Sequence, residues 1–308
     1  MSVVVPSFNN ARFIEATIDS VLTQTFDDLE LIVIDDGSSD DSVERIRGRL
    51  EQAPEGPVCR LVSRENRGIA RTLNEGLALS RGRYFAYLDS DDTWEPTRLE
   101  RQLIALGHAG PGAVACFSDG WIIDAAGERI GRFGRHFAYH GGDIYRDLFL
   151  VRFMPSSPTS LFVRDRLEAA GSFDERRAKV DYDVWLRVAR LGPVVYVPEP
   201  LGSWRHHGGN FSIGDPARML QSCLASVSAA VESDRALAPL SRQAEGRHRG
   251  RAAVSYYDAL DLRRARAEAV LALRLHLWQR AAWRTLAFSF LGPSLIGRLR
   301  GWAARRRR

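Results

Sequence analysis

Asp89-Ser90-Asp91-Asp92 places three carboxylates within four residues, directly after the apolar, aromatic run Tyr84–Leu88. That run reads as a buried strand. So much negative charge at the tip of a core strand costs folding energy, which a hard divalent cation with oxygen ligands would offset. Helix capping competes as a reading, because Asp92 or Thr93 could start a helix over Trp94–Leu106. Two other runs end in the same polar way: Ser2–Val5 in Pro6-Ser7-Phe8-Asn9, and Leu29–Ile34 in Asp35-Asp36-Gly37-Ser38. Ligands of open α/β sheets sit at the carboxyl ends of strands, so tips of this composition suggest a crevice suited to a nucleotide.

The intervening segments are of the kind that would hold such tips. Ala11–Thr25 has helical apolar spacing through Phe13, Ile14, Ala16, Ile18, Val21 and Leu22. A second helix is expected over Asp41–Leu50, a strand over Val58–Ser63 and a third helix over Ile69–Ser80. Repeated β-α steps of this kind imply a parallel, doubly wound sheet with right-handed crossovers. Further on, Ala113–Phe117 and Thr159–Val163 read as strands, and Trp121–Ile123 with Arg129–Arg135 as a hairpin. Asp181 opens a helix with Val184, Leu186, Val188 and Leu191 on its apolar face. From Asp215 the chain reads as helices, over Ala217–Glu232 and Ala252–Gln279.

Composition narrows the function. Of 308 residues, 45% are hydrophobic and 26% charged, which is ordinary for a globular protein. Cys59, Cys116 and Cys223 are odd in number and far apart, so neither a disulfide framework nor a zinc site is expected, and reduced thiols in the cytoplasm are. The N-terminus has no signal-peptide pattern, and no window reaches the length of a membrane span. Lys179 is the only lysine, so no Walker A phosphate loop exists, and no G-x-G-x-x-G follows a strand. The net charge of +5 hides an asymmetry: residues 235–308 hold 17 Arg against 4 acids.

The stretches VVVPSFNN, FIEATIDSVLTQTF, ELIVIDDGSSDDS, NRGIARTLNEGL and GRYFAYLDSDDTWEP together resemble the family 2 glycosyltransferases, which have the GT-A nucleotide-sugar fold. The resemblance covers residues 2–107 almost continuously and continues more weakly to about residue 213. Gly171–Glu175 resembles the family's G-x-F-D-E turn, and Val180–Trp185 its E-D-Y-D-L-W, with valine for the glutamate. Trp204–His207 resembles its Y-R-x-H, with tryptophan for the tyrosine.

That resemblance implies an α/β GT-A fold, a Rossmann-like doubly wound and mostly parallel sheet, with a C-terminal helical extension. The GT-A domain would span residues 1–213, its nucleotide-sugar half 1–107 and its acceptor half 108–213, and the extension 214–308. It further implies inverting transfer from a nucleoside-diphosphate sugar, a UDP-sugar above all, to a hydroxyl of a glycan or lipid-linked acceptor in cell-surface polysaccharide synthesis. Donor contacts fall to Pro6, Phe8, Asp36, Asn66, Arg71 and Asp89, with Phe8 against the base and Asp36 accepting from its imino group. Mn2+ or Mg2+ falls to Asp91 and His207, and the general base to Asp181, with Asp183 in reserve. Bland readings stand beside these: a core aromatic at Phe8, capping at Asp36 and Asp181, a solvated Arg71, and exposed loop histidines at His206 and His207.

Two rival functions differ in class. A sugar nucleotidyltransferase would want a glycine-rich, basic loop after the first strand, which Asn9-Asn10-Ala11 does not supply. A catalytically inactive, glycan-binding or scaffolding GT-A module is opposed by an intact D-x-D together with Asp181. The segment from Leu273 to Trp302 alternates apolar clusters with Arg, is broken by Gly292-Pro293, and is followed by Arg305–Arg308. It suits peripheral contact with an anionic membrane at the inner face of the cell, or a packing helix with a basic tail. Nucleic acid is not expected, since no DNA or RNA motif accompanies the charge.

Overall fold

β1 (Ser2–Ser7), β2 (Glu30–Asp35), β3 (Val58–Ser63) and β4 (Tyr84–Tyr87) pair in parallel in the order β3-β2-β1-β4. Between them run α1 (Ile14–Leu22), α2 (Ser42–Glu51) and α3 (Ile69–Leu79). β1 is buried on both faces, as a continuous β-branched run requires in a sheet covered on two sides. Val3 and Val5 join Leu31, Val33, Ala86 and Leu88 in a core closed by Ile14, Ile18 and Val21 of α1. Val4 points the other way, towards α3. A Cβ on Gly76 would lie 2.5 Å from Val4 Cγ1, so only glycine lets that helix approach. Ser7 pairs with Asp35 in register, which sets the tips of β1 and β2 side by side.

The sheet continues as β4-β8-β6-β9-β5 with mixed pairing. Its members are β5 (Thr93–Trp94), β6 (Ala115–Ile123), β8 (Ser160–Val163) and β9 (Val194–Arg205), with β7 (Arg129–Arg132) forming the expected hairpin on β6. α4 (Arg98–Ala109), α5 (Tyr145–Phe149), α6 (Arg164–Ala169) and α7 (Val180–Ala189) complete this part.

The structure corrects three expectations and adds one strand. Trp94 does not begin a helix: it is extended and pairs with Gly202 of β9, and α4 starts beyond Pro96. The run 115–123 is one strand, although Gly120 interrupts its apolar pattern; a Cβ there would lie 2.7 Å from the Gly202 carbonyl oxygen. β9 was not anticipated, since Pro198 and Pro200 argue against a strand. It accommodates them through register shifts against Ser118, Asp119 and Gly120. Leu191, assigned to the apolar face of α7, lies beyond its end and is exposed.

The structure, a computed structural model, describes residues 1–135, 137–209 and 214–291. The chain divides into two units, Met1–Leu148 with Arg152–Gly208, and Phe149–Val151 with Gly209–Arg308. In the second, helices span Pro216–Ser233, Ser241–Asp258, Leu262–Leu275 and Arg280–Phe288. The single helix expected over Ala252–Gln279 is thus two, separated at Leu260, which takes a positive φ of 62°. Trp278, Trp283 and Phe290 are exposed beside Arg274, Arg280 and Arg284. Gly292-Pro293 and Arg305–Arg308 lie outside the described residues. No helix among the described residues is long and apolar enough to cross a membrane.

Candidate active site

The loops that follow β1, β2 and β4 are laced into one rim. The Asn9 amide donates to Ser38 Oγ at 2.9 Å, the Ser39 amide to Asn9 Oδ1 at 2.8 Å, and Asn10 Nδ2 to Ser90 Oγ at 2.7 Å. Pro6 is buried at the end of β1, whereas Phe8 is 48% exposed at the rim and Asn66 is exposed in the loop before α3. Asp35 accepts from the Ser38 amide and hydroxyl. Asp36 is buried and already richly bonded. It pairs with the Arg64 guanidinium and accepts the Arg67 and Gly68 amides at 2.8 and 2.9 Å. Sequence reasoning missed Arg64, because nothing in the string marks which arginine meets a carboxylate 28 residues away.

The D-x-D loop is pinned from several sides. Thr17 Oγ1 donates to the Ser90 and Asp92 carbonyls at 3.0 and 2.8 Å. Arg205 donates its amide to Asp92 Oδ1 at 2.8 Å and its Nε to the Asp91 carbonyl at 2.7 Å, with its guanidinium 5.0 Å over the Phe13 ring. Asp91 Oδ2 lies 2.9 Å from His207 Nε2, and the imidazole packs on Phe13 at 4.9 Å between ring centroids. Ser157, from the loop before β8, donates its hydroxyl to Asp89 at 2.6 Å. Asp92 is buried, and its Oδ2 has no hydrogen-bond partner among the described residues.

Crowded carboxylates in low dielectric resist ionisation. Burial first, and then the Asp91 charge, push Asp89 up to about 6; Asp181 adds to this, while the Ser157 hydroxyl and Lys179 oppose it. Burial first, and then the charges of Asp91 and Asp89, push Asp92 well above the usual carboxylate range, while Arg205 opposes this through its amide and its charge. The raised value of Asp89 has a consequence for stability. The folded chain holds that proton more tightly than the unfolded chain, so the favourable contribution is complete below the ordinary value of 3.8 and is lost as pH rises through about 6. The melting temperature of cation-free protein, measured against Asp89→Asn, should fall relative to the variant between those two values. Parallel curves would contradict the crowding.

Across from these residues, α7 brings two aspartates with different fates. Asp183 is buried between Arg177 at 3.2 Å and Arg187 at 2.8 Å. Asp181 is partly exposed in the first turn, with Lys179 Nζ at 3.1 Å from its Oδ2. Its charge bears on both Asp89 and Tyr87. The Tyr87 hydroxyl, buried and without a hydrogen-bond partner among the described residues, is a further polar group that the sequence did not reveal. Arg71 pairs with Glu175 at 2.7 Å and lines an open cavity with Arg67, Asn74 and Glu75. Elsewhere on this unit the buried Asp119 pairs with the part-exposed Arg132, which reads as a structural contact.

A cation was expected at Asp91 and His207. Among the described residues no three His, Cys, Asp or Glu side chains converge to hold one alone. A carboxylate and an imidazole 2.9 Å apart nevertheless fit Mn2+ or Mg2+, which complete their shells with phosphate oxygens and water. The unpaired buried Asp92 Oδ2 and the raised Asp89 and Asp92 mark an excess of negative charge that a cation would relieve.

The model of glycosyl transferase family 2 matches residues 2–165, more than half of the chain. The chain belongs to that family. An uncharacterised glycosyltransferase of Nostoc sp. is 30% identical over 219 residues, covering 68% of this chain and 66% of the relative. Longer relatives are matched over only 21 to 34% of their length. Two solved structures superpose on 94% of this chain. Mannosyltransferase PcManGT from Pyrobaculum calidifontis, in complex with GDP-Man and Mn2+, does so with TM-score 0.64, 20% identity and 84% of its own chain. S. aureus TarS 1-349, in complex with UDP-GlcNAc, does so with TM-score 0.63, 14% identity and 89% of its chain. At these identities the superpositions speak for the fold, which is GT-A as expected from the sequence.

Proposed function

We propose that this transferase moves a sugar from a nucleoside-diphosphate sugar, a UDP-sugar in the first instance, to a hydroxyl of a glycan or lipid-linked acceptor, with inversion. One observation carries the reading: the laced tips of β1, β2 and β4 lie on the edge where Asp91 meets His207 and where Asp89 feels the charge of Asp181. In this reading Phe8 stacks on the base and Asp36, held rigid by Arg64, Arg67 and Gly68, accepts from it. Pro6 fixes the end of β1, Asn66 and Arg71 line the approach of the phosphates, and Asp89 holds the ribose. Asp91 and His207 hold the cation, which when bound neutralises charge on the departing diphosphate. Asp181 takes the proton of the acceptor hydroxyl as that oxygen attacks C1. Asp183, committed to two arginines, is set aside as the base.

Residues 1–213 act as the catalytic domain in this account, the nucleotide-binding half over 1–107 and the acceptor half over 108–213. Residues 214–308 form the extension, whose exposed Trp278 and Trp283 among arginines dock on anionic lipid from the cytoplasmic side. Removing residues 280–308 should therefore weaken sedimentation with phosphatidylserine liposomes while transfer to a soluble acceptor persists. Unchanged sedimentation would assign the segment to packing.

The donor reading is tested by thermal shift across UDP-, GDP- and dTDP-sugars with Mn2+. A true donor at a hundredfold excess over its Kd adds about 2.7 kcal/mol, which moves the melting point visibly. No response to any nucleotide sugar would overturn the reading.

A further inference from the structure

Lys179, the only lysine of the chain, has no place yet in the account. It stands at the N-cap of α7, and its ammonium lies 3.1 Å from Asp181 Oδ2. The neighbouring cations are fixed elsewhere. Arg176 and Arg177 pair with Asp174, Arg177 and Arg187 with Asp183, and Arg205 holds main-chain carbonyls of Asp91 and Asp124. The charges of Lys179 and Asp181 both act on Asp89, which places the ammonium near the D-x-D loop. The α7 N-terminus adds positive dipole on the same side.

Two facts about this placement conflict with a purely structural pair. A carboxylate that must meet an acceptor hydroxyl is obstructed by an ammonium held 3.1 Å from it. A diphosphate entering a rim that carries Asp89, Asp91, Asp92 and Asp181 also needs more positive charge than one divalent ion brings. A lysine resolves both, because its compact charge rides on a flexible stem, whereas an arginine fork stays bidentate on a carboxylate. We propose that Lys179 is a donor-responsive cation: it pairs with Asp181 in the donor-free enzyme and transfers to a phosphate oxygen when the nucleoside diphosphate binds, leaving Asp181 able to accept the acceptor's proton. The inference rests on the donor reading above. It makes the base competent only once the donor is seated.

The test compares UDP with uridine, and GDP with guanosine, on full-length protein in Mn2+. Lys179→Met should weaken the diphosphate about tenfold, equivalent to about 1.4 kcal/mol, and leave the nucleoside unchanged. Lys179→Arg should restore little of the diphosphate affinity, because its fork stays on Asp181. Acylation with an N-hydroxysuccinimide ester, read by peptide mass spectrometry, reports the same event in the wild type. Lys179 is the sole side-chain amine, and its labelling should drop when UDP and Mn2+ are present. Equal loss for diphosphate and nucleoside in Lys179→Met would assign the residue to the structure of α7 and overturn the proposal. Unchanged diphosphate affinity, or labelling indifferent to UDP, would overturn it too. A wild type that binds neither diphosphate removes the donor reading itself, an outcome distinct from both.

Discussion

Asp181→Asn should bind donor within about twofold of wild type yet transfer sugar about 10²–10⁴ times more slowly, the span expected for loss of a general base. The substitution keeps shape and hydrogen-bonding reach and removes only the ability to take a proton. Asp181 is proposed over Asp183 because it stays partly exposed, whereas Asp183 is closed in by Arg177 and Arg187. Asp183→Asn should therefore lose folding stability before it loses chemistry, since it removes the buried charge on which two partly buried guanidinium groups converge. Steady-state rates with donor affinities measured separately distinguish the two variants. Retained transfer in Asp181→Asn would move the base elsewhere on the acceptor side.

Asp91→Ala should abolish the dependence of donor binding on Mn2+ and weaken donor binding at saturating metal by about 10²-fold or more, as expected where a cation supplies several kcal/mol of charge stabilisation. His207→Ala should act in the same direction but less strongly, because an imidazole brings no negative charge to the ion. The fold should tolerate Asp91→Ala: Arg205 grips the Asp91 carbonyl and the Asp92 side chain, not the Asp91 carboxylate, and Thr17 holds the loop from beneath. Metal-dependent donor binding that survives the substitution would remove Asp91 from the cation site.

The first hundred residues were legible because each level of the sequence agreed with the next. Val3-Val4-Val5 and Leu31–Ile34 are apolar runs that a two-sided sheet needs, and the helices between them alternate at helical spacing. The polar tips followed from where those runs stop. Beyond residue 107 the signals conflict. β9 carries two prolines and survives only through register shifts against β6, which a single strand's residues cannot announce. The helical extension broke at Leu260, whose apolar side chain suggests continuation while its backbone turns left-handed. Within the site, residue types were visible but partners were not. Asp89 and Ser157 are 68 positions apart, and Arg205 reaches Asp91 over 114. Lys179 stood out only by being alone of its kind, and its contact with Asp181 depends on the turn that starts α7.

The account stands on one rim of acidic and aromatic loops gripping an activated sugar through a cation. Calorimetric titration of full-length protein with the UDP- or GDP-sugar that gives the largest thermal shift, first in Mn2+ and then in EDTA, tests this most directly. Saturable binding in Mn2+ that falls at least about tenfold in EDTA is the predicted result, a loss of about 1.4 kcal/mol or more. Equal affinity in both buffers would contradict it.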